Sequence, residues 1–206
     1  MTSTEPASAE TAAERPATTQ RPLRAHAQRN RDKLIAVART AFAAADDTVP
    51  LESIAREAGV GIGTLYRHFP TREALVEAVY AAELDDITTS APALLERLPP
   101  QLALRAWMER YGAFVAMKRG MADALRAGRA SGRIPTATTR EGIIAAITMI
   151  LAKGAETGSL RADVDPDDVA TMLFGIFVAT AALDTPEQTG RLLDLLIDAL
   201  LPKPGH

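Results

Sequence analysis

Three glycines at alternate positions, Gly59, Gly61 and Gly63, stand just ahead of Tyr66, Arg67, His68 and Phe69 in the stretch AGVGIGTLYRHFP (58–70). Two chemistries suit that composition. Glycines at a strand-to-helix turn bring backbone N–H groups up to a phosphate, whereas a turn followed by a short aromatic and basic helix brings side chains to DNA base edges. A dinucleotide loop needs G-x-G-x-x-G after a strand. Here the third glycine comes one residue early, Thr64 stands in its place, and the preceding LESIAREA has helical spacing. No G-K-[ST] follows, so a P-loop is also excluded. Spacing and context favour a helix-turn-helix in which Leu65 and Phe69 face inward. Ile62, Gly63, Tyr66 and Arg67 then lie on the opposite face, the one able to enter a major groove.

Catalytic and metal chemistry find no support. The carboxylate pairs Asp85–Asp86 and Asp167–Asp168 are adjacent residues, which diverge on a helix and make no acid–base pair. There is no Cys, no G-x-S-x-G and no metal-ligand spacing among the three His, at 26, 68 and 206. We expect no enzyme activity, no cofactor and no metal. The absence of Cys excludes disulfides and agrees with a reducing cytoplasm, and no apolar run is long enough for a membrane span.

The elements that would position these residues are all helical. Apart from Met1, residues 1–20 hold no large apolar side chain, and a disordered tail over 1–22 is expected. Leu34, Val37, Ala38, Ala41, Phe42 and Ala45 recur on one helical face, ended by DDTVP. Leu51, Ile54, Ala55 and Ala58 repeat the spacing over two turns, with Gly59 as a C-terminal stop. Thr71 is placed to cap the next helix, and Glu73 lies in its first turn. Further on, a break is expected near Gly120, a turn at SGRIP, a capping box from Thr138 to Glu141, and a helix start at DPDD (165–168). A last helix follows Pro186. The fold class expected is all-α, roughly nine helices without a sheet.

Charge is unevenly spread. The net charge is −3, yet residues 21–80 hold nine Lys/Arg against seven Asp/Glu, and residues 81–206 hold thirteen against sixteen. The excess is concentrated in RPLRAHAQRNRDK (21–33), a basic arm suited to a polyanion and equally consistent with a solvated tail.

The stretch LESIAREAGVGIGTLYRHFPTREALVEAVY resembles the TetR family of bacterial transcriptional regulators, with a short helix, a Gly-Val turn, T-L-Y-x-H-F and a capped Ala- and Leu-rich helix. The close match covers about residues 28–87. It implies a three-helix N-terminal DNA-binding domain over 23–87, with the helix-turn-helix at about 50–69. A larger helical domain for effector binding and dimerisation would span 88–206. By this resemblance Thr64, Tyr66 and His68 would contact phosphates or nearby bases, with a partly buried structural role open for His68. Arg72 suits a DNA backbone contact. Gly61 and Gly63 read nothing, and Ile62 can only press on a thymine methyl, so Arg67 is the expected guanine reader. Arg56 and the arm residues Arg24, Arg29 and Arg31 would supplement it, with specificity leaning on the arm and on DNA shape.

In the larger part, TGRLLDLLIDALL is so apolar that it must be buried on more than one side. The helix before it carries a core stripe at Val169, Met172, Leu173, Ile176 and Phe177, and a face of small residues at Thr171, Gly175, Ala179 and Ala182. With Leu192, Leu196 and Leu200 these predict a four-helix homodimer interface, which the resemblance also implies. A two-fold dimer expects a palindromic double-stranded DNA operator. Trp107, Tyr111, Phe114, Met117, Ile147 and Phe177 are candidates to line a cavity, though such spacing also suits plain core. In the family such a cavity binds a small-molecule effector, and with no buried charge evident the expected effector is apolar or neutral. The reading is a cytoplasmic, ligand-responsive repressor. The alternative is a ligand-independent DNA-binding regulator or architectural protein of the same fold.

Overall fold

Nine helices and no strand occupy the described residues of this computed structural model: 20–44, 49–130, 136–183 and 185–202. At 20–24, 44, 120, 123, 127, 129–130, 136–137 and 182–183 only the backbone is described. The helices are α1 (Gln20–Ala44), α2 (Leu51–Glu57), α3 (Ile62–His68), α4 (Arg72–Leu95), α5 (Pro100–Gly120), α6 (Ala122–Ala130), α7 (Thr136–Glu156), α8 (Pro166–Leu183) and α9 (Pro186–Leu200).

Local signals place most helix ends. Gly59 has φ of +69°, its N–H donates to the Arg56 carbonyl at 3.1 Å, and the Val60 N–H donates to the Ala55 carbonyl at 3.0 Å. This paired bonding closes α2 and needs a left-handed residue that glycine adopts without strain. The Thr71 hydroxyl accepts from the Ala74 N–H at 3.2 Å and caps α4. Asp165 Oδ1 accepts from the Asp167 N–H at 2.8 Å and opens α8. The break near Gly120 separates α5 from α6.

Some local expectations need correction or lie outside the described residues. Residues 20–22, read as the end of the tail, open α1, and the basic stretch 21–33 is the first half of that helix rather than a separate arm. The chain continues in helical register because nothing between Gln20 and Lys33 breaks it once Pro22 sits in the first turn. Thr138 and Glu141 lie inside α7, which already begins at Thr136, so they do not cap it. The expected tail at 1–19, Asp46–Thr48 of DDTVP and the SGRIP turn at 131–135 lie outside the described residues.

α1, α2 and α3 pack around buried Leu34, Phe42, Ile54, Leu65 and Phe69, and α4 closes this unit with Leu75 and Val76. α4 then runs on without interruption through 87/88, where the domain division is expected, and packs against α5, α6 and α7. α5 is the central helix, in contact with α1, α4, α6, α7, α8 and α9. Trp107 on α5 is fully buried, and its indole N–H donates to the Ile87 carbonyl of α4 at 2.9 Å. That bond satisfies the one polar atom of a large apolar side chain and locks α5 against α4.

Candidate nucleic-acid interface and internal cavity

The helix-turn-helix presents one face to solvent. Leu65 is completely buried and Phe69 nearly so, which seats α3 on α1 and α2. On the opposite side Ile62 is 39% and Tyr66 45% exposed, with Gly63 and Arg67 exposed beside them. A Cβ added at Gly61 or Gly63 would meet nothing within 4 Å. The protomer therefore does not require glycine there, and the bare first turn lets another molecule approach the backbone closely. Thr64 and His68 are half-buried at the flanks, and the His68 ring centroid lies 6.3 Å from that of Phe69.

The arginines divide into two groups. Arg56 and Arg29 are exposed. Arg67 folds back along its own helix, its Nε donating to the Gly63 carbonyl at 3.1 Å and Nη2 approaching Thr64 Oγ1 at 3.5 Å. Arg72 and Arg31 are engaged inside the domain. Arg72 donates from Nη1 to the Val49 carbonyl and lies 5.4 Å from the Phe42 ring. Arg31 lies 5.3 Å from the Phe69 ring. Both are half-buried, their stems covering apolar surface at helix junctions. The Arg24 side chain lies outside the described residues.

α1 is tied to α4 by charge as well. Arg39 pairs with buried Glu83 and lies 3.5 Å from Asp86. Burial pushes the Glu83 carboxyl above its usual range, and Arg39 opposes that rise.

Beyond this unit, a cavity of about 700 Å³ opens among α4, α5, α6, α7 and α8. Tyr111 and Phe177 line it, as expected from the sequence. Trp107, Phe114, Met117 and Ile147 do not: each is at most 2% exposed and packed into the core. Their aromatic and thioether side chains fill the space between helices instead of bordering it. The wall also holds residues that periodicity did not single out. Tyr80 of α4 shares a buried hydrogen bond of 2.9 Å with Thr139 of α7. Lys118, Arg119, Arg126 and Arg140 also lie on the wall, Lys118 half-buried and the three arginines exposed.

A smaller cavity of about 430 Å³ lies among α5, α8 and α9. Val115, Arg119, Phe177 and Ala181 line both, so the Phe177 ring stands between them. Gly112 makes room for it: a Cβ there would fall 2.4 Å from Phe177 Cε1.

On the outer surface of α8 and α9, Thr171, Gly175 and Ala179 are exposed, and Leu192 is half-buried. Leu196 and Leu200 are buried in the protomer core and so are unavailable to a partner. The exposed apolar residues are Met172 (51%) and Leu195 (62%), together with Phe174 (53%) and Val178, which also line the larger cavity. Met172, expected in the core stripe, is among them because the stripe of α8 turns inward only at Val169, Leu173 and Phe177. The Ala182 side chain lies outside the described residues. Among the described residues no cluster of His, Cys, Asp or Glu could hold a metal, and no helix is long and apolar enough to cross a membrane.

Comparison with known proteins agrees with this architecture. Residues 34–79 match the model of the bacterial regulatory proteins of the tetR family, and residues 99–202 match the C-terminal domain of SbtR-like transcriptional regulators. No curated protein matches significantly. A TetR transcriptional regulator, SCO0520 from Streptomyces coelicolor, is 45% identical with a TM-score of 0.76, covering 84% of this chain and 99% of its own. The TetR regulatory protein from Mycobacterium vanbaalenii is 33% identical with a TM-score of 0.69, covering 88% and 100%. A gamma-butyrolactone receptor shares the fold at 22% identity and a TM-score of 0.57, covering 86% and 90%. The chain belongs to the TetR family of bacterial transcriptional regulators, which are DNA-binding proteins and not enzymes.

Proposed function

We propose that the chain acts in the cytoplasm as a homodimeric repressor, binding a palindromic operator and leaving it when a small molecule occupies the larger cavity. The carrying observation is the continuity of α4. Its first residue, Arg72, braces the helix-turn-helix, and Tyr80, about 12 Å further along the same helix, lines the cavity. A ligand that moves Tyr80 moves the helix against which α1 packs, and α3 is in turn seated on α1 and α2. For that motion to release DNA, the ligand must bind the DNA-incompetent arrangement more tightly than the competent one.

The cavity favours this reading over a ligand-independent regulator. The gamma-butyrolactone receptor, of like fold, takes a small molecule by its own name. Exposed Ile62, Tyr66 and Arg67, with Thr64 and His68 at the flanks, make up the proposed reading surface, and Arg29 and Arg56 supplement it. Exposed Thr171, Met172, Gly175, Ala179 and Leu195 supply the two-fold contact in place of Leu196 and Leu200.

Fluorescence anisotropy with the DNA upstream of the protein's own gene, against scrambled DNA of equal length at two salt concentrations, tests the reading. Selective binding that persists at higher salt supports a sequence-reading regulator. Equal, salt-labile binding to both fragments, and to any operator recovered by selection from random DNA, refutes it.

A further inference from the structure

We propose that the compound taken by the larger cavity is an apolar body bearing a hydrogen-bond-accepting oxygen of the carbonyl class, and that Tyr111 of α5 is the side chain that holds this oxygen. The inference rests on that cavity being the effector site. Tyr111 lines it while only 5% exposed, a phenol set into a well-covered part of the wall. Three rings hold its own ring in place. It is stacked on Trp107 with centroids 5.6 Å apart and planes 6° apart, edge-on to Phe177 at 5.8 Å and tilted against Phe114 at 6.3 Å. A ring clamped in this way has little freedom to swing its hydroxyl elsewhere.

Among the described residues that hydroxyl makes no hydrogen bond, whereas the nearby Tyr80 and Thr139 hydroxyls are bonded to each other at 2.9 Å. Burial pushes the Tyr111 hydroxyl above the usual phenol range, Arg140 opposes the rise and Tyr80 adds to it. Both of those residues line the larger cavity, so the hydroxyl end lies on the cavity side of the ring. It is a neutral O–H donor throughout the physiological range. A ligand that fills the cavity takes this donor away from solvent. A body without an acceptor leaves it unpaired, and one with an acceptor oxygen restores the bond.

The surrounding wall asks for an apolar body, with Leu125, Ile143, Phe174, Phe177 and Val178 contributing to it. Charge is not what it selects. Arg119, Arg126 and Arg140 are exposed to water, Arg140 is already paired with Asp167 at 2.7 Å, and Lys118 Nζ rests 5.2 Å from the Phe114 ring centroid. A ligand charge gains little from groups so screened or engaged, and a carbonyl oxygen avoids the dehydration cost of a carboxylate.

The test uses the full chain and three ketones, 1-indanone, 1-tetralone and 2-acetylnaphthalene, each against the hydrocarbon of the same frame, indane, tetralin and 2-ethylnaphthalene. Affinities come from isothermal titration calorimetry, with protein titrated into ligand. For every frame that binds, the ketone is expected to bind more tightly than its hydrocarbon. Tyr111→Phe keeps the ring and its three aromatic neighbours. It should weaken each ketone at least about tenfold while leaving the hydrocarbon within about threefold. The carbonyl-carbon resonance of each isotopically labelled ketone that binds should move downfield in the native protein and lose that shift in Tyr111→Phe. A hydrocarbon bound as tightly as its ketone in the native protein overturns the acceptor class while leaving the cavity as a binding site. Ketone affinity unchanged in Tyr111→Phe, or ketone and hydrocarbon weakened together, overturns Tyr111 as the anchor. Calorimetry reads occupancy without DNA, so a ketone that binds through Tyr111 yet fails to release the operator counts against the repressor reading alone. Failure of every compound overturns the cavity itself as the effector site, and the inference with it.

Discussion

Gly112 and Phe177 give the sharpest quantitative expectation. Gly112→Ala places a Cβ 2.4 Å from Phe177 Cε1 and 2.8 Å from Cζ, about 1 Å inside ordinary carbon–carbon contact. α5 is held on six sides, so the ring must give way, into one cavity or the other. Overpacking of this kind costs about 1–3 kcal/mol. For a chain of this size that corresponds to a fall in Tm of roughly 2–12 °C. Phe177→Ala alone removes a buried ring and should cost about 3–5 kcal/mol. In that background the clash is gone, and Gly112→Ala should instead stabilise by up to about 1 kcal/mol through helix propensity alone. The effect of one substitution thus changes sign with the other, a coupling that thermal and urea denaturation of the four proteins measures directly. If Gly112→Ala shifts stability by the same amount and sign in both backgrounds, the ring is not what requires glycine at 112, and Phe177 is not the wall between the cavities.

Other expectations are independent of that one. Arg67→Ala should relax preference at one base pair per half-site by about 1–3 kcal/mol, read by selection from random DNA; an unchanged preference removes Arg67 as a base reader. Thr139→Val should cost about 1–2 kcal/mol by orphaning the buried Tyr80 hydroxyl, and adding Tyr80→Phe should recover part of that loss in denaturation experiments. Because burial raises the Glu83 pKa in the folded protein, its contribution to stability is present at low pH and is lost as pH rises from about 4.5 through the folded value. Glu83→Gln should therefore gain in Tm relative to the native protein between pH 5 and neutrality, and a constant difference would contradict the direction of the shift. Met172→Glu combined with Leu195→Glu should leave helicity intact and yield monomers by light scattering, with loss of tight operator binding; persistence of the dimer would place the interface elsewhere.

What could be read from the sequence was local or carried by a contiguous motif. The cap at Thr71, the turn at Gly59 and the start at Asp165 depend on groups within a few residues of one another, so side-chain type and spacing suffice to place them. The helix-turn-helix was legible for the same reason: Leu65 and Phe69 are one turn apart, and the inward and outward faces of a seven-residue helix follow from its period. Helix onset in the basic stretch was less so, because polar residues carry no apolar period even where they are helical.

The tertiary structure decided everything that depends on whether buried surface meets a neighbour or an empty space. Periodicity marks Trp107, Phe114, Met117 and Ile147 as inward-facing but does not distinguish a filled core from a cavity wall, and these four turned out to fill it. Tyr80, Lys118, Thr139 and Arg140, from three helices far apart in sequence, border the cavity only because α4, α5 and α7 converge there. Likewise the apolar residues of α9 cover most of its circumference, and only packing against α5 and α8 settles that Leu193, Leu196 and Leu200 turn inward while Leu195 faces out. Burial is a property of a residue's period; what covers it is a property of the whole chain's path, because the atoms that fill or fail to fill the space come from elements whose spacing no local pattern encodes.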